Sequence, residues 1–102
     1  MTMLADDIAP HAQDAAAFLK GLANPDRLRI LCQLVERPRC VGDLIAATGV
    51  APTSMSQHLA KLRAEGIVSV ARDHRTLTYS IAHPATLAVM QALHDHFCAK
   101  DA

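Results

Sequence analysis

The stretch VGDLIAATGVAPTSMSQHLAKLRAEGIVSVARDHRTLTYSI, residues 41–81, decides the fold. Val41, Leu44 and Ile45 stand at i, i+3 and i+4, the spacing of one helix face. That helix stops at Thr48-Gly49, where glycine accepts the positive φ of a helix C-terminus. Pro52 suits the first position of a second helix, because its missing N–H would have had no partner there. Met55, Leu59 and Leu62 form the inward stripe of that helix and leave Thr53, Gln57 and Lys61 on the opposite face. Gly66 then releases the chain into two runs of period two. Val68 and Val70 alternate with Ser69 and Ala71, and Leu77, Tyr79 and Ile81 alternate with Thr76, Thr78 and Ser80. Arg72-Asp73-His74-Arg75 forms the charged tip between them. Short helix, tight turn, second helix and hairpin, in that order, describe a winged helix-turn-helix, which places one helix in the major groove of DNA.

Outward from this core the pattern stays helical. Residues 1–9 are expected to be poorly ordered, after which Pro10 opens an alanine-rich helix with Ala12, Ala15, Ala16, Leu19 and Leu22 on one stripe. Small alanines let another helix approach closely. Asn24-Pro25-Asp26 is a further start signal: an N-cap, a proline at the first helical position and an acid at the positive end of the helix dipole. The helix runs to about Val35 with Leu28, Leu31, Cys32 and Val35 facing inward, and Pro38 ends it. Pro84 starts a last helix to about Phe97, with Met90, Leu93 and Phe97 on one apolar edge. The expected fold is mainly α with a β-hairpin wing, α-α-α-α-β-β-α. Its first and last helices are the natural surface for a homodimer.

At 102 residues, with 51% hydrophobic and 20% charged positions, residues 1–102 read as one domain with a modest core. No apolar run approaches the ~18 residues of a membrane span, and MTMLADD lacks the basic head of a signal peptide, so the expected compartment is the cytoplasm and no membrane partner is implied. Three cysteines, Cys32, Cys40 and Cys98, are too few and too scattered for a secreted disulfide scaffold; they are core residues or reactive thiols. Formal net charge is zero, which argues against coating nucleic acid by charge alone. Between Ala51 and Arg75, however, Lys61, Arg63, Arg72 and Arg75 outnumber Glu65 and Asp73 by two. A basic face of that size suits a protein positioned by phosphate contacts, and dimerisation doubles it.

Hydroxyls and an amide near a helix start can donate to phosphates or pair with base edges, and Gln57 has the amide geometry that fits adenine. Thr53 and Ser54 also fit a purely local role at the helix start. His58 lies beside the Leu62 stripe, so packing against the core competes with a groove contact there. Arg72 and Arg75 are placed to reach phosphate or a narrow minor groove.

These pieces resemble the ArsR/SmtB family of bacterial repressors from about Ala15 to Cys98. The matching runs are LKGLANPDRLRILCQL, VGDLIAATGVAPTSMSQHLAKLRAEGIV and the hairpin ending in LTYSI. The resemblance implies a homodimeric repressor, paired through its first and last helices, that leaves double-stranded operator DNA when an inducer arrives. It also implies DNA contacts from Thr53, Ser54, Ser56, Gln57 and His58, with wing contacts from Arg72 and Arg75. Ala51 departs from the family's usual capping serine.

Within the family, the chain resembles the persulfide-sensing SqrR/BigR/HlyU-like branch, which carries one thiol at the end of an RLxILC run and another in an aromatic-Cys pair closing the last helix. Here those are RLRILC, ending at Cys32, and Phe97-Cys98. The resemblance implies that a reactive sulfur species attacks one thiolate and that the second cysteine resolves the adduct into a disulfide or polysulfide bridge, with no cofactor needed. The competing reading makes Cys32 a small buried hydrophobe and Cys98 a frayed terminal residue. Cys40 has no partner in this scheme.

A metal- or arsenical-responsive regulator is the alternative. Many relatives carry C-V-C-D-L at the third helix, but Cys40-Val41-Gly42-Asp43-Leu44 has one of the two sulfurs. Others hold zinc across paired last helices. His83 and His94 fit the histidine places and Ile81 and Phe97 fill the other two, while His94 and Cys98 stand at i and i+4. Eleven helical residues span roughly 16 Å, so those histidines share an ion only across a dimer. A second alternative is a winged helix used for protein–protein interaction. An enzyme is not expected: no glycine-rich phosphate loop, acid pair or serine-histidine-acid order is present.

Overall fold

A computed structural model describes residues 3–98. Helix α1 (Leu4–Ile8) leads through a 3-10 turn (Ala9–His11) into α2 (Ala12–Leu22) and α3 (Pro25–Glu36). Strand β1 (Arg39–Cys40) precedes α4 (Val41–Thr48) and α5 (Pro52–Ala64). The hairpin β2 (Val68–Asp73) and β3 (Thr76–Ile81) follows, and α6 (Pro84–Phe97) closes the chain. The three strands form an antiparallel sheet in the order β1-β3-β2. The mainly helical, winged architecture is the one expected, with α1 and β1 added. No helix among the described residues is long and apolar enough to cross a membrane.

Local chemistry explains the boundaries. The Asn24 side chain accepts from the backbone N–H groups of Asp26 (2.9 Å) and Arg27 (3.1 Å), satisfying two otherwise orphaned donors at the start of α3. Gly49 ends α4 in the left-handed region at φ 76°, where a side chain would clash with its own backbone. The Thr48 hydroxyl bridges the same turn, donating to the Leu44 carbonyl at 2.6 Å and accepting from the Val50 N–H at 3.2 Å. In the hairpin, Val68 faces Ile81, Val70 faces Tyr79 and Arg72 faces Leu77, so the alternation expected from the sequence is the register observed.

The core sits where α3, α4, α5 and the root of the hairpin meet. Ile30, Leu31, Leu44, Met55, Leu59, Leu62 and Ile67 are fully buried, joined by Leu22, Leu34, Val50, Val68 and Met90. Gly21 lets α2 approach this core; a Cβ there would lie 2.6 Å from Cδ1 of Ile67.

Several expectations need correction. Residues 1–9 were expected to lack order, yet Leu4–Ile8 is helical; it is exposed throughout, and residues 1 and 2 lie outside the described part. The helix expected from Pro10 begins at Ala12, with Pro10 inside the 3-10 turn. On α2 the alanine stripe and Leu19 are exposed, and the chain is anchored by Phe18, Gly21 and Leu22. On α3 the buried face is Ile30, Leu31 and Leu34, whereas Cys32 and Val35 are exposed and Leu28 is half-buried. Helix α3 has neighbours on several sides, α2, α4, β3 and α6, so its apolar surface is wider than a single stripe and the core takes a rotated part of it.

Candidate nucleic-acid interface and thiol groove

Helix α5 turns Met55, Leu59 and Leu62 into the core and leaves Thr53, Ser56, Gln57, Lys61 and Arg63 exposed, with Ser54 half-buried. No side chain caps its N-terminus at Ala51. Backbone N–H groups and the hydroxyl of Thr53 therefore face outward at the positive end of the helix, a setting that favours anions. Lys61 lies 3.7 Å from Glu65, a loose exposed pair that leaves its charge available. Arg72 and Arg75 are exposed and neither has an acidic partner among the described residues. His74 takes φ 58° at the hairpin tip, which turns the chain between the two arginines.

His58 is turned elsewhere. Arg27 approaches its Nδ1 at 3.5 Å and the Asp26 carboxylate lies 3.7 Å from its Nε2, while Arg27 also donates to the Gly21 carbonyl at 2.7 Å. His58 thereby ties α5 to the first turn of α3, the packing role that competes with a groove contact at this position. Arg63 enters the sequence reading only through the local basic charge, with no contact of its own assigned. It lines a groove of about 440 Å³ between α5 and β3 together with Ser56, Ala60 and Tyr79. Its position seven residues after Ser56 puts the two on one helix flank, a spacing readable in advance.

Cys32 and Cys98, distant along the chain, share a second groove of about 400 Å³ between α3 and the end of α6. Leu28, Met90, Leu93, His94 and Phe97 complete its walls. It borders another groove, lined by Cys32, Glu36, Leu87 and Gln91. Both thiols are free and exposed. The groove walls nonetheless strip water from Cys32, which raises its thiol pKa above the ordinary range, helped by negative charge on Cys98 and on Glu36, one helical turn away. Cys40 lines neither of these grooves: it is the N-cap of α4 and borders a smaller groove with Gly42, Arg75 and Thr76 beside the wing.

Among the described residues no three His, Cys, Asp or Glu side chains stand close enough to hold an ion. His83 is occupied at the start of α6, where its Nδ1 accepts from the Ala85 N–H at 3.1 Å and its ring lies 4.4 Å from that of Phe18. His94 borders the thiol groove at the other end of the helix.

Comparison with known proteins agrees with this geometry. Residues 24–70 match the model of the arsR family of bacterial regulatory proteins. The chain is 45% identical over 84 residues to the nodulation protein NolR of Rhizobium meliloti, covering 82% of this chain and 69% of that one. The crystal structure of the transcriptional repressor BigR from Xylella fastidiosa superposes with a TM-score of 0.88 at 34% identity, covering 97% of this chain and 99% of that one. A homodimeric winged helix-turn-helix DNA-binding domain from Mycobacterium bovis superposes at 0.74 with 32% identity, covering 93% and 91%. A helix-turn-helix with a basic wing on this scaffold defines a DNA-binding regulator of transcription. The chain belongs to the ArsR family.

Proposed function

We propose that the chain is a homodimeric repressor whose hold on its operator is set by the thiol chemistry of Cys32 and Cys98, with a reactive sulfur species as inducer. The observation that carries this reading is the shared groove, in which α3 and α6 each contribute one free thiol. Thr53, Ser56 and Gln57 supply the groove-facing polar groups, with Ser54 at their edge, and Lys61, Arg72 and Arg75 supply phosphate contacts. Pairing of two copies is supported by the exposed Ala12, Ala15, Ala16 and Leu19 on α2 and by Leu87 and Phe97 on α6. The radius of gyration, 15.1 Å, exceeds the roughly 13 Å of a compact chain this long, because helices project from the core. The homodimeric Mycobacterium neighbour and the repressor BigR support the same assignment.

The chemistry follows from the two environments. The Cys98 thiolate, at the open end of α6, attacks a sulfane sulfur of a polysulfide; one S–S bond breaks and a shorter polysulfide leaves with its electron pair. Cys32 then attacks Sγ of Cys98 itself; the bond from Sγ to the transferred sulfur breaks, hydrosulfide leaves with the electron pair, and a Cys32–Cys98 disulfide remains. The two thiols lose two electrons and two protons in total, and the polysulfide sulfur is reduced to hydrogen sulfide. Where the Cys98 adduct carries a longer sulfur chain, attack on a non-terminal sulfur of that chain, with the terminal sulfur leaving as hydrosulfide, leaves extra sulfur atoms in the bridge. Because α3 is tied to α5 through Asp26, Arg27 and His58, a bridge from α3 to the pairing helix α6 resets the placement of the two recognition helices. A two-fold operator demands that they stand about 34 Å apart, one turn of DNA.

Intact-mass spectrometry after polysulfide treatment tests the bridge. The wild type is expected to lose two hydrogens, with whole sulfur atoms added for longer bridges, and Cys32→Ser is expected to stop at an open Cys98 adduct. A wild-type mass unchanged by polysulfide contradicts the proposal. A winged helix that served only to bind protein would show no salt-dependent affinity for any promoter duplex.

A further inference from the structure

We propose that the groove between α5 and β3 is a seat for one backbone phosphate of the duplex, held by Arg63 with Ser56 and Tyr79 beside it. The inference rests on α5 and the wing gripping DNA. Adjacent major and minor grooves are separated by a ridge of phosphates, so a helix in one and a hairpin tip in the other must straddle that ridge. Between α5 and the middle of β3, the strand that leads back from that tip, lies the groove of about 440 Å³ lined by Ser56, Ala60, Arg63 and Tyr79. Small side chains at positions 56 and 60 leave room for a phosphodiester to approach the helix.

Arg63 is the charged group on these walls, and it has no acidic partner among the described residues. Arg29 and Arg39, by contrast, are engaged with Asp26 at 2.6 Å and Glu36 at 2.8 Å. A guanidinium held at a groove wall and left unpaired matches the planar, two-pronged geometry of a phosphate. The Ser56 and Tyr79 hydroxyls can donate to the same anion. Ser56 is thereby reassigned from base reading to backbone positioning. A phosphate seated here fixes how deeply α5 enters the major groove, and it does so for any sequence.

Operator affinity measured across a range of salt concentrations, for the wild type, Arg63→Ala, Arg63→Lys and the exposed control Arg37→Ala, tests the seat. Loss of one phosphate contact lowers the slope of log affinity against log salt by about 0.9, hence by about 1.8 for a dimer. Arg63→Ala is expected to show that loss together with roughly tenfold or greater weakening at low salt, equal on operator and unrelated duplex. Arg63→Lys should keep the slope while losing affinity, and Arg37→Ala should match the wild type. Should Arg63→Ala fold poorly, operators with single methylphosphonate linkages replace it: one linkage on the ridge between the two grooves should reproduce the slope change with wild-type protein. An Arg63→Ala slope equal to that of the wild type, or methylphosphonates without effect, overturns the seat while leaving DNA binding intact. Competition by inorganic phosphate at constant ionic strength points to a free-anion site and overturns it too. Absence of any salt-dependent operator binding in the wild type removes the underlying reading as well.

Discussion

At the scale of single residues, α5 sets an exposed polar face against a buried apolar one. Gln57 is exposed on the side opposite Met55, Leu59 and Leu62, so Gln57→Ala should leave the melting temperature unchanged. It should cost about 1–3 kcal/mol of operator affinity and relax discrimination at one base pair, as measured against a panel of single-substituted duplexes. Equal losses on every duplex would assign Gln57 to the backbone instead. Thr86 is fully buried on α6, and its hydroxyl has no hydrogen-bond partner among the described residues. Thr86→Val replaces that hydroxyl with a methyl group and should stabilise the fold by about 1 kcal/mol, several degrees in a thermal melt.

Cys32 makes a prediction in pH. Its raised pKa comes first from desolvation and then from Cys98 and Glu36, so the fold favours the neutral thiol. The associated stability is present below the pKa of an unfolded thiol and is lost as pH rises through the higher folded value. Iodoacetamide labelling of Cys32, followed by peptide mass, should be slower at neutral pH than for a free thiol and should climb at more alkaline pH. Cys98→Ser removes the second cause and should shift that profile modestly toward lower pH. A rate like that of a free thiol at neutral pH would contradict the desolvated setting. These residues were unequally visible in advance. Gln57 and the wing arginines follow from helix and hairpin periodicity alone. The orientation of His58 depends on Asp26 and Arg27 from another helix, which no local pattern reveals.

At the scale of elements, the segments that the sequence predicts well are those terminated by their own chemistry. Asn24-Pro25, Thr48-Gly49 and Pro52 each act within one turn, and α3, α4 and α5 begin or end there. Asn24→Ala should remove the side-chain acceptor of two backbone N–H groups and cost about 1 kcal/mol in chemical denaturation. Gly49→Ala forces a side chain into the left-handed region and should cost about 1–2 kcal/mol. The elements missed have no such signature. Strand β1 is two residues long and exists through its pairing with Tyr79 and Thr78 of β3, a partner almost forty positions away. The rotated face of α3 and the exposed alanines of α2 have the same origin, since periodicity finds an apolar face but not which neighbour will cover it.

At the scale of the whole molecule, α3 is the common member of both halves of the account. It contacts α4 and is tied to α5 on the side of the DNA, and it shares the thiol groove with α6 on the other. Cys32 and Cys98 stand 66 positions apart in the sequence, and that both line one groove is a consequence of how α3 and α6 pack. The proposed regulation therefore turns on coupling between that groove and the operator. The most direct measurement is operator affinity by fluorescence anisotropy before and after polysulfide treatment, for the wild type and Cys98→Ser, with dithiothreitol added last. Affinity should fall at least about tenfold in the wild type, return with dithiothreitol and stay constant in Cys98→Ser. A wild type that binds its operator equally well in both states, with the bridge shown by mass to have formed, would contradict the account.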